Sequence, residues 1–299
     1  MVRNSMCLNM FKPLFIFAIV VAMLSGIATA ADFGGLPPGF ETQTWKIAKS
    51  ANFEIGTLDA KSTADINQKT EALKTWIYRR WGLKDAPFKH TCQIIAVPTA
   101  EKYKLWFQRP FDLPKFVNAK DLDGVDREVY FARFATEGSY LTDVLPNYIT
   151  RICLMNYEKT YNVKFGVWAY EGMSGLNTDT DTIRKTLLVL NPKVNNYSSR
   201  ELFELQSPEA VTPELKAKCT LMCLLLRKQP NADVNFVRFL EVYSTTSNPD
   251  QALNVFGFKS VSDFDEVFNR FARDFLDGLK NNKVPNMSLT WFLPQPVEK

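Results

Sequence analysis

Histidine is nearly absent from this chain: His90 is the one imidazole among 299 residues. No site that needs two imidazoles can be built within one copy, and any His-dependent triad is confined to residue 90. His90 stands in the polar stretch PFKHT and reads as an exposed or locally hydrogen-bonded loop residue. The nucleophile motif G-x-S-x-G is absent as well. After Leu24 no second apolar run of membrane-spanning length occurs, so stable membrane insertion is not expected once a leader is removed. Basic residues are neither clustered nor interleaved with aromatics. Without Arg3 and Lys12 they fall from 36 to 34 against 32 acidic residues, which argues against nucleic acid as a partner. Beyond Cys7 the cysteines are Cys92, Cys153, Cys219 and Cys223, and their spacing forms no compact disulfide framework. Buried free thiols are the expectation, with a Cys92–Cys153 bridge as the alternative. Cys219 and Cys223 lie one helical turn apart, with no further His or Cys nearby in sequence to complete a metal site.

What is present begins with an export signal. Arg3 and Lys12 precede the apolar run Leu14 to Leu24, and Ala28-Thr29-Ala30 follows, which are the three parts of a cleavable signal peptide over residues 1–30. Cleavage near Ala30 predicts an exported protein, periplasmic or extracellular, and an uncleaved N-terminal anchor is the alternative. The remaining 269 residues suit one large domain or two small ones, and nothing in them reads as a linker.

The N-terminal half reads as a mixed sheet with helices. Trp45 and Ile47, then Phe53 and Ile55, alternate with polar neighbours around the turn-like KSAN, which predicts a hairpin. Ile66, Leu73, Ile77 and Trp81 have helical spacing from Ser62 onward, and Gly82 is a natural stop. CQIIAV, residues 92–97, predicts a buried strand, Thr99 to Phe107 a short helix, and REVYFARF, residues 127–134, another strand.

The organising stretch is residues 141–176. Leu141, Val144, Leu145, Tyr148, Ile149, Ile152 and Met155 follow the i, i+3, i+4, i+7 rule and predict a helix with one buried face. Thr142 or Asp143 could cap it, with Pro146 in the first turn. Asn147 and Arg151 are four apart, so they project from one side, toward the segment from Trp168 to Leu176 that presents Glu171.

LPNYITR followed by VWAYEGMSGL resembles the gluzincin metallopeptidases, the thermolysin-like HExxH enzymes, and in particular the small exported peptidase-MA-like domains. WKIAKSANFEIGT is similar to the first hairpin of such domains and FGFKSVSDFDEVF to their C-terminal part, so the resemblance covers most of the chain. In that family two His on one helical turn and a Glu on the next helix hold zinc, while the Glu beside the first His is the general base. The resemblance puts Asn147 and Arg151 at the two His positions, Tyr148 at the base and Glu171 at the third ligand. Only Glu171 keeps its chemistry. An amide is a poor zinc ligand, a guanidinium has no lone pair to offer, and a phenol is no carboxylate base. The resemblance therefore implies a degenerate peptidase without zinc, cofactor or catalytic residues. Two arrangements suit the remnant positions: Arg151 reaching the Glu171 carboxylate where zinc would sit, or both charges solvated at the surface. The strand order the resemblance implies would also let residues 128–134 border a cleft and pair with an extended peptide, the alternative being an ordinary covered strand.

The C-terminal half reads as mainly helical. Thr180 to Leu190 is ambiguous between helix and buried strand. Ser198 and Glu201 form a capping box, and Pro213 opens a helix through Leu226 that is apolar almost all round. Val234 to Tyr243, a short segment after the NPD turn, and Ser262 to Leu279 follow, the last with Phe264, Val267, Phe268, Phe271 and Phe275 on one face. The expected fold is thus α+β: an N-terminal α+β peptidase-like part over residues 31–176 that ends in the zincin-like site helices, a helical part over 177–280, and an extended tail over 281–299. The function expected is non-catalytic binding or assembly, with a peptide or protein ligand in the remnant cleft. The alternative is an active exported hydrolase using another site.

Overall fold

The computed structural model describes residues 46–57, 60–88, 92–97, 115–120, 126–133, 144–190, 198–205 and 211–281. The signal peptide expected over residues 1–30, His90, the short helix expected over 99–107 and the tail expected beyond Asn281 lie outside the described residues. Those described are mainly helical and accompanied by a small sheet, an α+β composition. Tertiary contacts divide the chain elsewhere than after residue 176. One unit runs to Glu71 and resumes from Pro87 to Leu141; the other takes Ala72–Ala86 and everything from Thr142. The site helices therefore group with the helical part.

The first unit is a five-stranded sheet, β1 (Lys46–Lys49), β2 (Phe53–Thr57), β3 (Cys92–Val97), β4 (Lys115–Lys120) and β5 (Asp126–Arg133), in the order β1-β2-β3-β5-β4. The expected hairpin forms, with Ile47 opposite Gly56. β2, β3 and β5 run parallel, and the outer strands β1 and β4 are antiparallel to their neighbours. β2 departs from the expected alternation, because all five of its residues are buried. An interior strand covered on both faces has no solvent side, so even Glu54 is enclosed and pairs with Lys49 at 3.0 Å. Helix α1 (Ala60–Arg80) ties down the hairpin. Glu71 accepts from the Asn52 backbone N–H at 2.7 Å and from its side chain at 2.9 Å, and Asn67 donates to the Ala48 carbonyl.

β5 overlaps the strand expected over 127–134, and of the two readings offered for it the ordinary covered strand is the one found, not a strand open to an added peptide. It pairs with β3 on one side and β4 on the other, so neither edge can accept an added peptide strand. The outer strand on that side of the sheet is β4, which the sequence reading missed.

The second unit takes the end of α1 from Ala72. It adds α2 (Leu145–Tyr161), α3 (Val167–Leu176), α4 (Thr180–Leu188), α5 (Ser199–Glu204), α6 (Pro213–Arg227), α7 (Ala232–Thr246), α8 (Pro249–Leu253) and α9 (Val261–Lys280). The ambiguous segment from Thr180 is a helix, capped by Asp179, whose side chain accepts from the Thr182 N–H. The capping box of Ser198 and Glu201 forms at the start of α5. Gly82 ends α1 with a φ of +64°, a conformation that favours glycine. The core is aromatic: Trp168 meets Phe203, Phe236 and Phe239 edge-on at centroid distances of 5.2, 6.3 and 5.5 Å. α6 is buried from Ala217 to Leu226, as its composition predicts. It packs tightly on α3, where a methyl group added at Gly172 would collide with the Cys223 sulfur and one at Gly175 with the Thr220 hydroxyl. Cys92, Cys153, Cys219 and Cys223 are all buried and none is in a disulfide, so the alternative Cys92–Cys153 bridge is not formed. Among the described residues no helix is long and apolar enough to cross a membrane.

Candidate functional site

α2 is more enclosed than one apolar face requires. Every residue from Leu145 to Leu154 is buried, including Asn147, Thr150 and Arg151. A polar side chain in that setting needs a partner, and each of these three has one. Thr150 donates back to the Pro146 carbonyl at 2.7 Å and accepts from Asn177 Nδ2 at 2.8 Å; Asn177 Oδ1 in turn accepts from Trp81 Nε1. The helix begins without the expected cap: Val144 holds the N-cap position and makes no side-chain cap bond, while residues 142–143 lie outside the described chain.

Arg151 carries the centre of the site. Its Nη2 donates to Glu171 Oε2 at 2.7 Å and its Nε to Asn147 Oδ1 at 3.0 Å. The Arg151 and Glu171 side chains are 8% and 3% exposed, so this is a buried ion pair and the arrangement with solvated charges is ruled out. Three of the four residues singled out in the sequence thus come together through one guanidinium. Tyr148 is buried too, at 3% exposure, but it is one residue on from Asn147 and so lies about 100° round the helix from the Asn147–Arg151 side.

The link that orients α3 against α2 was not legible in the sequence. Glu158, near the end of α2, accepts from the Phe165 backbone N–H through one oxygen and from the Tyr170 hydroxyl at 2.6 Å through the other. It thereby braces the connection just before α3 and the residue preceding Glu171. Burial pushes the Glu158 carboxyl above its ordinary pKa, while the hydrogen bonds from Tyr170 and Phe165 hold it down in part. Burial, reinforced by the Glu158 charge, pushes the Tyr170 hydroxyl upward. On the α6 side, burial raises the Cys219 thiol and the nearby negative charge of Glu171 raises it further.

This donor set does not fit zinc. A guanidinium stands between Asn147 and Glu171, it cannot donate an electron pair, and its positive charge opposes a cation. Among the described residues no group of three or more His, Cys, Asp or Glu side chains could hold a metal ion. What the arrangement can do is lock two helices together and present the remaining amide, guanidinium and carboxylate atoms for hydrogen bonding. No family model matches the chain, and no curated protein matches it.

Proposed function

We propose that this chain is an exported, non-catalytic protein of gluzincin-like peptidase layout that acts by binding a peptide or another protein. The observation that carries this reading is the buried Arg151 guanidinium held by Asn147 and Glu171. An ion that supplies charge but no Lewis acidity takes the place a catalytic metal would need, so the helices stay docked while hydrolysis has no engine. The order of elements supports the same layout: a hairpin, a helix, further strands and then two helices carrying the site residues. Extended peptide would add to an outer strand of the sheet among the described residues, β1 or β4, and not to β5. Export rests on the leader pattern of residues 1–30.

The test is metal content after purification from zinc-replete medium, with Glu171→Ala prepared in parallel. The expected result is no bound zinc in either protein and no peptide hydrolysis. Stoichiometric zinc in the parent that is lost in the variant would overturn the reading.

A further inference from the structure

Large apolar side chains exposed to water are few among the described residues: Tyr161, Leu188, Val189 and Val234. Tyr161 uses its hydroxyl on the Asp85 carbonyl, and Val234 stands by itself near the start of α7. Leu188 and Val189 adjoin, at 37% and 46% exposure, where α4 ends. Ile183 and Leu187 take the buried side of that helix. Leu188 is one turn beyond Arg184 and shares its side, and Arg184 Nη2 donates to the Leu279 carbonyl, 3.5 Å away in the last turn of α9. The exposed pair therefore lies beside the end of α9, and residues 282–299 set out from there.

In those residues Met287, Leu289 and Trp291 alternate with Ser288 and Thr290, a period of two that puts three apolar side chains on one face of an extended segment. We infer that the segment Met287–Trp291 folds back and lays that face on Leu188 and Val189, so that the tail straps α9 to α4. Reach allows it, since the eight residues from Leu279 to Met287 span up to ~26 Å, about twice the diameter of a helix. The size of the patch selects a tethered occupant. Two part-exposed aliphatic side chains offer far less than the roughly 1,000 Å² that a separate partner needs, whereas a segment of the same chain binds at an effective concentration in the mM range. This contact is independent of the proposed peptide-binding role.

The experiment is timed chymotrypsin digestion of the full chain, with cleavage after Trp291 and Phe292 followed by mass spectrometry, in the parent and in the double variant Leu188→Glu with Val189→Glu. Both positions are exposed, so the variant should keep the circular dichroism spectrum of the parent. Cleavage at the two tail sites should be about tenfold faster in the variant, because a detached tail is open to the protease. In the isotopically labelled parent, nuclear Overhauser contacts from the Leu188 and Val189 methyl groups to the Trp291 indole are expected. Equal cleavage rates in a folded variant, or the absence of those contacts, would overturn the inference. Tail protection that rises with protein concentration would assign the patch to a second copy and overturn it as well. The contacts in the parent decide the matter even if the double variant fails to fold.

Discussion

Arg151 Nη2 lies 2.7 Å from Glu171 Oε2, joining α2 to α3 across 20 residues of sequence through side chains that are both more than nine-tenths buried. Attraction between the charges is offset by the cost of taking them out of water, so the pair matters most when one partner is lost.

Arg151→Ala should therefore cost about 3–5 kcal/mol, because it strands the Glu171 carboxylate in the interior. Replacing both residues with Met should cost far less, since no charge is left unpaired. Urea unfolding of the two variants measures this, and equal losses would mean that packing, not charge, dominates.

Two imidazoles placed beside Glu171 should create a metal site. Asn147→His with Arg151→His is expected to bind about one zinc per chain, the three-ligand set of a zinc centre. Adding Glu171→Ala should abolish it. Calorimetric titration with zinc reads the outcome, and a double variant that folds without binding zinc would count against the proposed gluzincin-like layout.

Gly172→Ala should destabilise by about 1–3 kcal/mol, because the new methyl group meets the Cys223 sulfur and the Cys219 carbonyl where α3 crosses α6. Cys223→Ala in the same chain should recover part of the loss, since the backbone carbonyl remains in the way. A double-mutant cycle from thermal or urea unfolding shows the coupling.

Stability should fall as pH rises above about 8.5, the ordinary range of a thiol. Burial raises the folded-state pKa of Cys219 and Cys223, and those of Tyr78 and Tyr170 likewise. A raised folded pKa means that the unfolded chain loses its protons first, so the stabilising contribution is complete below the unfolded pKa and is lost on going alkaline. Unfolding curves from pH 7 to 10 check this. Replacing Cys219 and Cys223 with Ala should flatten the decline between about pH 8.5 and 10. The same burial makes both thiols unreactive toward a disulfide reagent until the protein is denatured.

The sequence made α2 and α3 legible because helical periodicity is a local signal and Asn147 and Arg151 stand one turn apart. It also allowed the Arg151–Glu171 pairing to be anticipated, since a buried carboxylate needs a counter-charge and Arg151 projects toward the segment that carries it. β4 was missed for a physical reason. KFVNAK offers only Phe116 and Val117 as strong strand formers, and an outer strand owes its existence to the neighbour it pairs with, here β5. The Trp81–Asn177–Thr150 chain was equally invisible, because Trp81 and Asn177 are 96 residues apart and neither carries a local pattern that announces the other.

The sequence by itself determined most of the described helices, the Thr180 segment excepted, where Pro213, Ser198 and Gly82 start or stop them, and that a single histidine excludes a two-imidazole centre within one copy. These depend on neighbouring residues or on composition alone. Only the tertiary structure decided that α2 is enclosed on all sides from Leu145 to Leu154, that β5 is interior and β4 outer, and that Asn147, Arg151 and Glu171 share one guanidinium. Those outcomes depend on which distant surfaces exclude water from one another, and exclusion of water is a property of the packed chain that no local stretch contains.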